Sequence, residues 1–84
     1  LAEYYMQRFC AWRLMGNQLE KANKSKKAKE CYKKATFDLW IAEETDFDVN
    51  SLHSSITDHE KEFSSETIDK WKLEWKRKKK GNEQ

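Results

Sequence analysis

The spacing of small and large apolar residues between Phe9 and Ala42 constrains this chain more than any other feature. Trp12, Met15, Gly16 and Leu19 fall on one side of a helix. After a polar gap, Ala28, Tyr32, Ala35, Leu39 and Ala42 recur at intervals of four, three, four and three, the period of a half-buried helical face. One straight helix would carry the first series on to about 22, 26 and 29, where Lys26 and Lys29 interrupt it. The chain therefore turns at Asn23-Lys24-Ser25, with Asn23 ending one helix and Ser25 capping the next. The expectation is an antiparallel helical hairpin with facing apolar stripes. Gly16 and Ala28 are small where the two helices would cross closely, and Trp12, Leu19 and Tyr32 fill the space on either side.

These residues resemble a tetratricopeptide repeat, whose 34-residue pattern places Trp, Leu, Gly and Tyr on a first helix and Ala, Phe and a small residue on a second. Trp12, Met15, Gly16, Leu19, Ala28, Tyr32 and Ala35 stand in those places in order. Met15 and Leu19 are mild departures. Trp40 stands where the family carries proline, so the second helix is expected to run on to about Glu44. The hairpin is also similar in architecture to three-helix domains of the microtubule-interacting-and-trafficking type. A second copy of the pattern would need Trp at 46 and Gly at 50, where Asp46 and Asn50 stand, so the resemblance is to one repeat over about 34 residues. A lone repeat leaves faces that stacking normally buries. It needs a C-terminal capping helix, dimerisation, or upstream repeats, and the chain opens on Leu1 rather than Met, as an excerpt of a longer protein does.

In chaperone-binding members of the family, a basic residue three before the Gly and an Asn just after it help hold a peptide's terminal carboxylate. Arg13 and Asn17 match those places, and their donors suit an anion. The resemblance thus implies a partner-binding flank of Cys10, Arg13, Asn17, Glu20 and Lys21, although the clamp's other residues come from neighbouring repeats absent here. It also implies an intracellular protein, cytoplasmic or nuclear, in which Cys10 and Cys31 are free, buried thiols, the alternative being a disulfide between the two arms of the hairpin.

Along the chain, residues 2–22 read as the first helix, with Tyr5, Phe9, Trp12, Met15, Leu19 and Ala22 inward and Met6, Cys10 and Leu14 widening the stripe. So broad an apolar stripe is covered on two sides or carries an interface. The second helix, about 25–44, begins with lysines and ends with Glu43 and Glu44, the reverse of what the helix dipole favours. Packing must outweigh that order. From Thr45 the pattern fades. Asp46, Asp48, Asn50 and Ser51 are turn formers, while Val49, Leu52 and Ile56 have the spacing of a short helix opened by Asp48. Thr57-Asp58-His59-Glu60 reads as a capping box opening a closing helix at about 58–79, whose Ile68, Trp71 and Trp75 would lid Trp40 and Ile41. Lys76 to Lys80 are expected to fray, with residues 81–84 disordered. The expected fold is all-α: a hairpin over 9–42 plus a C-terminal capping helix, a three-helix bundle in one domain over 1–80.

Eighty-four residues, 38% of them charged, are near the size at which one core is marginal, so the aromatic residues must supply much of the burial. The net charge of +2 conceals blocks: seven Lys against one Glu in 21–34, ten acids against one Lys in 35–69, seven bases against two acids in 70–84. The acidic middle can neutralise the basic flanks. His53 and His59 are too far apart for one helical face and there is no C-x2-C pair, so no metal or other cofactor is expected. The Asp58, His59, Glu60, Glu62 cluster reads as an acidic first turn rather than a catalytic group. No apolar run approaches the ~20 residues of a membrane span, and no signal peptide is visible. An enzyme is not expected. The expected work is protein–protein interaction, as a scaffold or adaptor module open to self-association as a homodimer. The second expectation is nucleic-acid or anionic-surface binding through Lys24, Lys27, Lys76, Arg77, Lys78, Lys79 and Lys80, with Trp71 and Trp75 interleaved as aromatics.

Overall fold

The computed structural model describes residues 1–45 and 49–82. They form four helices: α1 (Ala2–Lys21), α2 (Ser25–Thr45), α3 (Val49–Glu60) and α4 (Ser65–Asn82), with no strand among the described residues. The all-α fold and the hairpin of α1 with α2 are as the apolar spacing expects. Asp46 and Asp48, read as turn and cap residues, lie outside the described residues, as do Glu83 and Gln84 of the tail.

The first turn is made by backbone chemistry. Asn23 adopts φ +63°, a left-handed conformation that Asn tolerates better than most residues. The Lys24 N–H then donates to the Leu19 carbonyl at 2.8 Å and the Asn23 N–H to that of Glu20 at 3.0 Å, a Schellman closure that satisfies the last carbonyls of α1. Ser25, expected as the cap of α2, lies inside its first turn. Lys24 holds the preceding position, its carbonyl accepting from the Ala28 N–H at 2.9 Å.

Small residues bring α1 and α2 together. Gly16, Ala28 and Ala35 are buried, and the Tyr32 ring lies directly over Gly16. Phe9, Leu39, Trp40 and Ala42 continue the core, which Ile56, Ile68 and Trp71 complete from α3 and α4. Tyr5, Trp12 and Leu19 pack against it half-buried. Met15 and Ala22, expected to face inward, are exposed, as is Cys10. Both cysteines are free, and only Cys31 is buried.

The C-terminal half is where the structure departs from the expected boundaries. The segment read as one closing helix from about 58 is divided into α3 and α4 by a turn at 61–64. Thr57-Asp58-His59-Glu60 ends α3 instead of opening a helix, and the Thr57 carbonyl accepts from the Lys61 N–H at 3.1 Å. The physical reason is burial: Ile56 and His59, three apart on one face, are both buried, and helical backbone must run through Thr57 to aim both inward. The cap of α4 is Ser64, whose Oγ accepts from the Thr67 N–H at 3.2 Å. Lys76 to Lys80 remain helical to Asn82 rather than fraying.

Aromatic rings space α3 and α4 from the hairpin. Phe63 lies against Tyr32, His59 and Trp71, and Trp40 against Trp75 at 5.5 Å between centroids. The contacts Phe9 to His59 and Arg13 to Glu62 set α3 parallel to α1. Lys33 to Glu74 and Glu44 to Lys79 set α4 parallel to α2. The charge order of α2, unfavourable for its dipole, is offset at its C-terminal end by Lys79 and in its middle by Glu74.

Candidate functional site

Two surfaces of α1 matter, and helical spacing separates them. One flank carries Cys10, Arg13, Asn17, Glu20 and Lys21, the positions that the repeat resemblance implies for partner binding. The other arc carries Tyr4, Ala11, Leu14 and Met15.

On the first flank the fold itself occupies the two central side chains. The Arg13 guanidinium pairs with the Glu62 carboxylate in the turn after α3, with Nη2 donating to Oε1 at 3.0 Å and Nη1 donating to Oε2. Nη1 also reaches His59 Nδ1 at 2.8 Å. The Glu62 hydrogen bond holds Arg13 above its ordinary pKa, and the same bond holds Glu62 below its own. Asn17 Oδ1 accepts from the Tyr32 hydroxyl at 2.7 Å. Glu20 stands close enough to Tyr32 that its carboxylate, after burial, raises the phenol's pKa. Asn17, Glu20 and Lys21 line one shallow depression, while Arg13 lines another with Phe9, Ser55, Asp58, His59 and Glu62. The five residues therefore do not converge on one open groove.

The sequence does not mark His59 as a buried position, since there it reads as part of an acidic turn. It is 2% exposed, and its partners fix its tautomer. Thr36 Oγ1 donates to the Tyr32 carbonyl at 2.7 Å, which leaves Oγ1 to accept from His59 Nε2 at 2.6 Å. Nε2 then carries the proton and Nδ1 accepts from Arg13. Burial, and next the Arg13 charge, push its pKa down to about 4. The ring stands edge-on to Phe9 and Phe63. No signal in the local sequence marks this contact, because its partners lie 23 and 46 residues away.

On the second arc Tyr4, Leu14 and Met15 are 54%, 60% and 48% exposed. Arg8, Ala11, Trp12 and Met15 line a shallow, almost wholly apolar depression there. Its edge is held by charge: Lys34 Nζ lies 4.7 Å from the Trp12 ring centroid, and Arg8 Nε stands 3.3 Å from Asp38 Oδ2. Asp38 is buried, and burial raises its pKa against the pull of Arg8 and the Trp12 indole.

The basic blocks lie apart. Because α2 and α4 run parallel, Lys24 and Lys27 at the start of α2 sit at the opposite end of the molecule from Lys76, Arg77, Lys78, Lys79 and Lys80 at the end of α4. Trp71 is buried and Trp75 packs on Trp40, so neither is presented with the lysines. Among the described residues no group of three or more His, Cys, Asp or Glu side chains is placed to hold a metal, and no helix is long and apolar enough to cross a membrane.

Comparison with known proteins adds no relative: no family model, curated protein or solved structure matches the chain.

Proposed function

We propose that this chain is a protein-interaction module of scaffold or adaptor type, and that its docking surface is the outward arc of α1, occupied by a second copy of the chain. The observation that carries the reading is the exposure of Tyr4, Leu14 and Met15 on one arc of an otherwise charged molecule. Monomeric proteins scatter single apolar residues over their surfaces, but several aligned along one helical arc favour association. The other large apolar side chains exposed among the described residues are Leu1, at the chain's start, and Leu73, amid the lysines of α4. The surface that best complements the α1 arc is the same arc on another copy, which implies a two-fold, isologous contact. Arg13 and Asn17, engaged with Glu62 and Tyr32, support the helix that presents this arc rather than a carboxylate clamp. The likeness to a tetratricopeptide hairpin agrees with this reading, since such hairpins bury their faces on one another.

Sedimentation at about 50 and 500 mM salt tests it, since screening removes exposed charge attraction but leaves apolar contact. A salt-resistant dimer that Leu14→Lys with Met15→Lys converts to a monomer of unchanged helix content is expected. A monomer under both conditions overturns self-association.

A further inference from the structure

The fold divides the seven basic side chains between Lys70 and Lys80 into two sets. Lys72 lies 5.9 Å from the Trp40 ring centroid, Lys78 5.4 Å from that of Phe37 and Lys79 5.2 Å from that of Trp75. Lys79 also pairs with Glu44. These three face α2 and hold α4 on it. Lys70, Lys76, Arg77 and Lys80 are exposed, pair with no carboxylate among the described residues, and share with exposed Leu73 the opposite arc of the helix. Two acids near them are already matched, Glu74 by Lys33 and Glu44 by Lys79. Glu66 and Asp69 stand on the same arc at its upstream end, beside Lys70, and make no ion pair with it. What results is four cations without an ion-pair partner along about 15 Å of one convex helical face, with the positive charge concentrated downstream at Lys76, Arg77 and Lys80.

We propose that this outer face of α4 binds the phosphate backbone of a nucleic-acid duplex without reading its sequence. Charges repeated along a rigid face match a rod that carries regularly spaced phosphates. Two other polyanionic surfaces fit less well. Single strands are held by stacking bases on exposed aromatic rings, and the aromatic rings of α4 are turned inward, Trp71 buried and Trp75 against Trp40. A helix that lies on a membrane buries an apolar face in it, and the apolar face of α4, with Ile68 and Trp71, is spent in the core, leaving Leu73 alone. This surface is on a different helix from the α1 arc and does not depend on self-association.

The test is the anisotropy of a short labelled DNA duplex titrated with the full chain. About four phosphate contacts imply a slope of log affinity on log salt near −3.6, a loss of about a hundredfold between 50 and 200 mM. Lys76→Gln with Arg77→Gln and Lys80→Gln should weaken binding at least tenfold at low salt and flatten the slope toward −1. Lys24→Gln with Lys26→Gln and Lys27→Gln removes the same charge from the far end of the molecule and should change affinity less than about twofold. Circular dichroism checks that both variants fold, and the salt slope of the unaltered chain, with its titrations against a single strand and against phosphatidylserine vesicles, decides the matter even if one does not. Absence of duplex binding, an equal loss from both triple variants, or tighter binding to a single strand or to phosphatidylserine vesicles each overturns the proposal.

Discussion

Gly16 shows how a single position can oppose its own helix propensity. A methyl group there would meet Tyr32 Cε1 at 2.5 Å and Cδ1 at 2.8 Å. The ring has little room to yield, because its hydroxyl is bound to Asn17 and its face packs on Phe63. Propensity alone would make Gly16→Ala stabilising by about 1 kcal/mol, whereas overpacking of a close crossing costs about 1–3 kcal/mol. We expect net destabilisation, seen as a lower midpoint in thermal denaturation; a raised midpoint would mean the hairpin is looser than its contacts indicate. Tyr32→Phe keeps the ring and removes one hydrogen bond, and should cost about 1 kcal/mol in urea unfolding.

Helix α3 is seated through one buried histidine, and acid should loosen it. In the folded chain His59 is neutral, with a pKa near 4 against 6.5 when unfolded. Between those values the unfolded state binds the extra proton, so stability falls as pH drops. The loss is about 2 kcal/mol by pH 5 and about 3 kcal/mol by pH 4. Of the groups facing the ring, Arg13 acts in the same sense, since a protonated Nδ1 would confront its charge, whereas the Glu62 carboxylate opposes it by favouring the imidazolium. The pKa of Glu62 itself, lowered by Arg13, adds a loss of stability at still lower pH. Asp38 acts oppositely, since its raised pKa makes the folded state the better proton binder above the ordinary carboxylate range. Urea denaturation at pH 7 and pH 5 should show this loss in the unaltered chain and little of it in His59→Gln. Equal slopes in both would remove His59 as the cause. At the other end of the turn, Ser64→Ala deletes the cap of α4 and should cost about 1 kcal/mol, readable as a lower urea midpoint.

All four helices contribute to one core, from Phe9 in α1 to Trp71 in α4. The α1–α2 hairpin and the two helices that follow it should therefore unfold together. Far-ultraviolet dichroism, which reads helix, and tryptophan fluorescence, which reads Trp12 on α1 together with the Trp40, Trp71 and Trp75 junction, should give coincident transitions. Separate transitions would divide the chain into two independent units. The ion pairs Lys33 with Glu74 and Lys79 with Glu44 tie α2 to α4 across the surface, and being partly exposed they weaken with salt. They orient α4 more than they stabilise it.

The course of α1, the turn at Asn23 and the span of α2 were legible because each depends on short-range rules: a 3.6-residue apolar period, a residue that tolerates positive φ, and small side chains at a crossing. The charge blocks were legible for the same reason, and the pairing of the acidic middle with basic flanks is partly realised in Glu44 with Lys79. The junction of α3 and α4 was not. Thr57 and Glu60 satisfy the spacing of a capping box as well as that of a helix's last turn, and only the burial of Ile56 and His59 against α2 chooses between them. Arg13 and Asn17 were visible as paired donors, yet their partners, Glu62 and Tyr32, lie 49 and 15 residues away. Which lysines of α4 hold the fold and which face solvent likewise waits on where Phe37, Trp40 and Trp75 come to rest. Local periodicity sets the helices; long-range packing, which no short stretch encodes, decides which of their polar groups remain free to meet anything else.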